Sequence, residues 1–351
     1  MEKKTTYHEQ KDVENILRLR EVLSTLPPFC RDYFRAIDTT TTTKTRISYA
    51  YDIRIFFQFL LDENPAFKDY KMTDFTVDVL DQIKALDLEE YQEYLKVYQA
   101  GDKTETNGER GLKRKISALR SFYAYYYRRE MIETNPTVLI DVPKIHDKSI
   151  IRLDTDEVAL LLDYIEHCGD QLTGQKRVYY EKNKERDLAI VTLLLGTGIR
   201  VSECVGLDIE DVDFKNNGIK VTRKGGNEMV VYFGPEVEKA LKRYLEVREN
   251  IIPLEGHEHA LFYSTQRKRI GIQAVENLVK KYAGAITTTK KITPHKLRST
   301  YGTTLYQETG DIYLVADVLG HRDVNTTKKH YAAMDDARRR KAATAVHLRE
   351  D

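Results

Sequence analysis

The sequence predicts a mainly α-helical protein of two domains, with one small antiparallel β-sheet in the second. Three observations predict it. Apolar residues recur at helical spacing over most of the chain. Between Asp208 and Phe233 that pattern gives way to short alternating runs separated by Asn- and Gly-rich turns. An extended polar stretch after Thr134-Asn135-Pro136 closes one helical series before another opens. The length, 351 residues, suits two domains at roughly 150 residues each.

Residues 1–42 read as an N-terminal extension belonging to the helical domain. Lys11 to Ser24 is a leading helix stopped by Leu26-Pro27-Pro28, and Thr39 to Thr43 is a polar loop whose last threonine caps the next helix. Lys44 to Asp62 follows, with Ile47, Ala50, Tyr51, Ile55, Phe59 and Leu60 at helical spacing and Asn64-Pro65 as its stop. Leu86 to Tyr98 is another helix, and Asp102 to Gly108 a turn-rich break. Glu109 to Glu130 is long and two-faced. Leu112, Ile116, Leu119, Tyr123 and Tyr126 form its apolar stripe, and Lys113, Arg114, Ser117, Arg120 and Arg128 spread over the other side. A solvated face is one reading of that basic side. The other rests on the position of its acids, Glu109 and Glu130, which stand only at the ends, whereas exposed helices usually mix signs for i,i+4 support. On that second reading Lys113, Arg114 and Arg120 contact a DNA backbone. Residues 43–145 are thus expected to form an all-helical bundle, and 146–154 a linker.

The second domain, 155–351, opens with Thr155 capping a helix that runs through Leu160, Leu161 and Ile165. Arg177 to Arg186 is a charged helix or surface loop. Leu188 to Leu195 is a buried helix that Gly196 and Gly198 break. Val212 to Phe214, Ile219 to Val221 and Met229 to Phe233 are the strands of the small sheet. Helices resume at Pro235 to Arg248, Ile272 to Ala283, His295 to Glu308, Ile312 to Leu319 and Asp335 to His347.

Composition excludes more than it assigns. The formal net charge of +1 does not announce a nucleic-acid binder, although such a protein can confine its basic residues to one face. Cys30, Cys168 and Cys204 lie far apart, without the pairing of a disulfide framework or the spacing of a zinc site. No apolar run approaches the ~18 residues of a membrane span, and the start lacks the apolar region of a secretory signal, so the cytoplasm is the default location. His257-Glu258-His259 superficially resembles a metal pair but has no nearby third ligand in sequence.

The chemistry is concentrated in a few positions. Pro294-His295-Lys296-Leu297-Arg298 puts a histidine and an arginine at i and i+3 on one helix face. Leu319-Gly320-His321 sets a second histidine at a Gly-marked turn. Gly196 to Glu203 offers Arg200 at a helix start. Phosphodiester cleavage without a metal needs planar, permanently charged donors for the extra negative charge on the phosphate oxygens, a part suited to Arg200 and Arg298. It needs a hydroxyl nucleophile, for which Tyr331 follows His321 and is the only tyrosine after Tyr313. The leaving 5′ oxygen needs a proton, and Lys224, between two short strands, can act as general acid from a hairpin tip. His295 and His321 can donate to phosphate or assist proton transfer. Glu203 either orients a catalytic donor or is a plain acid at a helix N-terminus. Each residue alone also has a structural reading, such as an Arg200–Glu203 ion pair or an exposed hairpin lysine.

Taken in order, Arg200, Lys224, His295, Arg298, His321 and Tyr331 resemble the tyrosine recombinases, the phage integrase family. Thr197 to Glu203 looks like the family's first arginine box, Pro294 to Arg298 its H-x-x-R box, and Leu319-Gly320-His321 its LGH motif. The resemblance covers about 155–335. It extends more loosely over 43–145, where Ala118 to Tyr123 and Thr134-Asn135-Pro136 resemble the helical core-binding domain. Leu26-Pro27-Pro28-Phe29 with Asp32-Tyr33-Phe34 is similar to the longer Xer-type enzymes. The resemblance implies a site-specific DNA recombinase: a two-domain clamp on double-stranded DNA, acting as a homo-tetramer on paired sites through 3′-phosphotyrosine intermediates and a Holliday junction. It implies no metal, ATP or other cofactor, a terminal helix docking on a neighbouring protomer, and room for an accessory DNA-bending or directionality protein. A type IB topoisomerase-like relaxing enzyme and a non-catalytic DNA-binding protein are the rival readings. Two departures stand out. His330 occupies the position where many members place the tyrosine, and Glu228 and Met229 follow the hairpin where members usually carry basic residues.

Overall fold

Thr6 starts the first helix. Its hydroxyl accepts the N–H of Glu9 at 3.3 Å, while the Glu9 carboxylate accepts the N–H of Thr6 at 2.7 Å. This reciprocal cap begins α1 (Tyr7–Ser24) four residues earlier than apolar periodicity alone suggests. After Pro27-Pro28 the chain makes a short helix the sequence reading left out, α2 (Cys30–Ala36), which buries Cys30, Tyr33 and Phe34. α3 (Thr43–Glu63) is capped by Thr42 rather than Thr43. The computed structural model describes residues 6–146, 151–223, 226–321 and 324, and the chain divides into two compact units, Met1–Lys148 and Ser149–Asp351.

In the first unit, α4 (Val79–Gln82) and α5 (Ala85–Tyr94) lead into β1 (Val97–Ala100) and β2 (Lys103–Thr106), and then α6 (Glu109–Arg128). The hairpin corrects the expectation of an all-helical bundle. β1 and β2 pair antiparallel from Val97↔Thr106 to Ala100↔Lys103, turning at Gly101, whose φ of 61° suits glycine. Its residues are nearly all exposed, so no buried face imposes the apolar alternation by which a strand is read. The core is dense in aromatics. Phe29, Phe57, Phe122 and Tyr126 meet mostly edge to face, with centroids 5.1–6.2 Å apart.

A charged triad ties α3 to α6. Asp52 is 2% exposed; Lys115 Nζ lies 3.2 Å from its Oδ1, and Arg114 binds its Oδ2. Burial raises the Asp52 pKa, and the two cations oppose that shift. Lys115, at 6% exposure, therefore stands on the core side of the helix, with the apolar stripe rather than with the basic face.

The second unit runs α7 (Thr155–His167), α8 (Gly174–Thr197), α9 (Val201–Gly206), β3 (Val212–Asp213), β4 (Gly218–Thr222), β5 (Glu228–Tyr232), α10 (Pro235–Arg248), α11 (Ile272–Ile286), α12 (Pro294–Thr309) and α13 (Ile312–Leu319). α7 is capped by Asp154 with Glu157, one residue before the expected Thr155. The charged and apolar stretches expected as separate elements are one helix, α8. Its second half, Leu188 to Leu194, is buried throughout and packs on α7, α10 and α12. Gly196 does not break it. That glycine lies inside the helix, where a Cβ would press on Val237, and the helix ends at Gly198, with φ of 63°. β3, β4 and β5 form an antiparallel sheet with Val212 opposite Ile219 and Thr222 opposite Glu228. Asp335 to His347, read as a helix, lies outside the described residues.

Removing Asp52 leaves Lys115 buried beside α3 without its carboxylate. Asp52→Ala is expected to cost roughly 3 kcal/mol or more in urea unfolding of the full chain. A loss below ~1 kcal/mol would mean that the pair is not buried as described.

Candidate active site

The site forms where four segments of the second unit meet the carboxyl end of α13. That helix closes with a Schellman turn: the His321 N–H donates to Ala316 O at 2.9 Å, the Gly320 N–H donates to Asp317 O at 2.8 Å, and Gly320 is left-handed with φ of 62°. The turn satisfies the carbonyls of Ala316 and Asp317. The next three in sequence are each taken by an arginine. Arg223 Nη2 donates to Val318 O at 2.7 Å, Arg298 Nη2 donates to Leu319 O, and Arg200 Nη2 reaches Gly320 O at 3.4 Å. The carbonyls that a helix end leaves without intrahelical partners thus become the anchor for three guanidinium groups. The helix dipole, negative at this end, offsets part of their mutual repulsion.

Each arginine is also held from its own side. Arg200 is the N-cap of α9. The Glu203 carboxylate accepts its backbone N–H at 2.8 Å and its Nη1 at 2.7 Å. Glu203 is 4% exposed, so this carboxylate is committed to Arg200 while the guanidinium stays partly open. Both readings of Glu203 therefore describe one geometry: it caps the helix and orients the arginine. Arg298 is 5% exposed, and its Nη1 donates to Gly198 O at 2.6 Å, so the α8 end and the α13 end fix the plane of its guanidinium between them. At Gly198 a Cβ would overlap the Tyr301 ring, which is why the arginine box passes so close beneath α12.

His295 is exposed in the first turn of α12, one residue after Pro294, and lies at i,i+3 from Arg298. His321 is half-buried at the Schellman turn. The structure thus brings Arg200, Glu203, Arg298 and the His321 turn together, with His295 on the helix that carries Arg298. Lys224 and Tyr331 lie outside the described residues. His259 pairs with Glu210, and Glu258 accepts the Gly256 N–H at 2.9 Å; among the described residues no group of three or more metal-ligating side chains forms.

Arg223 is the residue sequence reasoning passed over. Its signal was its place immediately before Lys224 and after a strand, but nothing local to the sequence brings it to a turn 95 residues away. Burial lowers its pKa and nearby Arg200 lowers it further, while Glu203 and Asp317 oppose them.

The DNA-contact candidates lie in the first unit on α6. Lys113 and Arg114 are exposed, the latter tethered to Asp52. Arg120 donates through Nε to Thr137 O at 3.0 Å and through Nη2 to Ile140 O at 2.6 Å, so it also ties down the segment that follows the helix.

Comparison with known proteins gives a consistent picture. A model of the phage integrase family matches residues 152–338. The chain is 33% identical over 341 residues to the tyrosine recombinase XerS of Lactococcus lactis subsp. cremoris, covering 90% of this chain and 93% of that protein. It is 32% identical over 338 residues to the tyrosine recombinase XerC of Caldanaerobacter subterraneus subsp. tengcongensis, covering 93% and 88%. In fold it is similar to the XerH site-specific recombinase bound to palindromic difH substrate, with a TM-score of 0.61 at 22% identity over 86% of this chain and 79% of that one. A lambda integrase dimer bound to a COC′ core site gives a TM-score of 0.60 at 17% identity over 86% and 93%.

Gly320→Ala tests the packing of the site. A left-handed alanine costs about 1–2 kcal/mol, and its methyl group would overlap the Arg223 guanidinium. The expected outcome is destabilisation of at least that size in chemical unfolding. Parent-like stability would show that the turn and the guanidinium are not in contact.

Proposed function

The chain belongs to the phage integrase family, and from that membership we propose that it is a site-specific DNA recombinase that cuts and rejoins double-stranded DNA through a 3′-phosphotyrosine ester and a Holliday junction. The observation that carries the reading is the meeting of Arg200, Arg298 and the His321 turn at one helix end. Those groups are hydrogen-bond donors with fixed directions, which is what a phosphate gaining charge requires.

In the proposed step, the phenolic oxygen of Tyr331 bonds to phosphorus as the P–O5′ bond breaks. The phenolic proton passes to a neutral His295, and the electron pair of the broken bond stays on the 5′ oxygen, which takes a proton from the Lys224 ammonium. Arg200, Arg298 and His321 donate to the non-bridging oxygens, and Glu203 keeps Arg200 aimed. Rejoining is the reverse, with a 5′ hydroxyl from the partner duplex as nucleophile. The ester conserves the energy of the broken bond, so neither a metal nor ATP is required.

Binding is assigned to both units. Lys113 and Arg114 would lie against the DNA backbone, with Arg120 at the edge of the same face. The protein would act in the cytoplasm as a homo-tetramer on paired sites, with residues 335–347 reaching a neighbouring protomer and with a DNA-bending or directionality protein as a possible helper. Its role would be mobile-element integration and excision or chromosome-dimer resolution. No observation favours the topoisomerase-like or non-catalytic alternatives.

On a nicked duplex bearing the preferred site, Tyr331→Phe is expected to abolish covalent capture while leaving binding near normal; persistent capture would move the nucleophile elsewhere. Arg200→Ala should slow cleavage at least ~10²-fold, and a change of only a few-fold would remove it from the phosphate. Replacing Lys113 and Arg114 together should reduce the slope of log affinity against log salt by about 2. An unchanged slope would return that face of α6 to solvent.

A further inference from the structure

Arg223 stands at the base of a hairpin tip. Its N–H donates to Asn227 O at 2.8 Å, and its carbonyl accepts the Gly226 N–H at 3.0 Å. Its backbone is therefore fixed to the sheet, and its side chain leaves the sheet for the end of α13. There Nη2 donates to Val318 O, and Nη1 takes up the space any Cβ at Gly320 would fill. A side chain serving only as surface would not be placed so. Nε of Arg223 is buried without a hydrogen-bond partner among the described residues, which costs free energy, and Arg200 disfavours its charge while Glu203 and Asp317 favour it. The fold accepts the cost of that buried Nε at one contact, between the hairpin and the turn that ends in His321.

The next residue in the chain is Lys224. We infer that Arg223 is a positioning residue for departure of the 5′ oxygen: it locks the end of β4, from which the chain goes on to Lys224, to the carbonyl end of α13 and the His321 turn. This rests on the recombinase reading above. Arg223 itself need not touch DNA, and lysine could not replace it, because a single point donor cannot both bond Val318 O and fill the space beside Gly320, which the guanidinium does with two nitrogens.

The test separates leaving-group protonation from everything else. Wild-type protein first enriches its site from a random duplex library. Nicked duplexes of that site are then made with either oxygen or sulfur bridging phosphorus to the 5′ carbon. A thiolate leaves without a proton, so the sulfur substrate needs no general acid. On the oxygen substrate, Arg223→Ala and Arg223→Lys should lose at least ~10-fold in cleavage rate, less than the ~10²- to 10⁴-fold expected for removal of a general acid. On the sulfur substrate both should return to within about threefold of wild type, as should Lys224→Ala. Parent-like cleavage of the oxygen substrate, or an equal loss on both substrates, would overturn the inference. If Arg223→Ala does not fold, as judged by its melting curve and DNA binding, Arg223→Lys decides alone. Failure of wild type to form a covalent adduct with either substrate, or adduct formation by Tyr331→Phe, would instead sink the recombinase reading.

Discussion

The structure of the second unit depends on one short helix end. α13 leaves three carbonyls in a row that its own turn cannot satisfy, and three guanidiniums from distant parts of the chain satisfy them. Each side solves the other's problem. Orphan carbonyls at a half-buried helix end are costly, and three positive charges in one place repel unless something negative faces them. The helix dipole contributes about 0.3–1 kcal/mol per favourably placed cation, and up to ~2 in partly buried sites. The buried Glu203 carboxylate and Asp317 add to it.

From that anchor the local sequence choices make sense together. Gly320 is required twice, for its left-handed turn and for the guanidinium lying against it. Gly198 ends α8 where its carbonyl meets Arg298 and where a side chain would strike Tyr301. Pro294 starts α12 so that His295 and Arg298 fall one turn apart on the same side. α8, buried along Leu188 to Leu194, is the rigid member on which α12 and the arginine box both rest. On the proposed function, a phosphate held here would meet donors whose directions are set by backbone bonds, so little reorganisation would remain during reaction.

Much of this was legible in the residues, and what was not has physical reasons. Helices with one buried face, such as Thr43–Glu63 and Pro235–Arg248, announce themselves because burial imposes a period. The Val97–Thr106 hairpin buries almost nothing and leaves no such trace. Helix starts moved by a few residues where a side chain reached back to cap, as at Thr6 and Asp154. Arg200, Arg298 and His321 were readable because they sit in compact local patterns. Arg223 was not, since its importance comes from a contact across 95 residues and from the absence of a side chain at Gly320. The basic stripe of α6 likewise concealed two internal tasks, the Asp52 pairing of Arg114 and Lys115 and the carbonyl bonds of Arg120.

In the proposed reaction, guanidiniums anchored on the α13 carbonyls neutralise the charge of the phosphate under attack. The most direct measurement compares wild type and Arg200→Ala on two substrates, one with an ordinary scissile phosphate and one with an uncharged methylphosphonate at that position. If the claim holds, the defect of Arg200→Ala is large on the phosphate and shrinks to a few-fold on the methylphosphonate, where there is less charge to neutralise. An equally large defect on both substrates would contradict it.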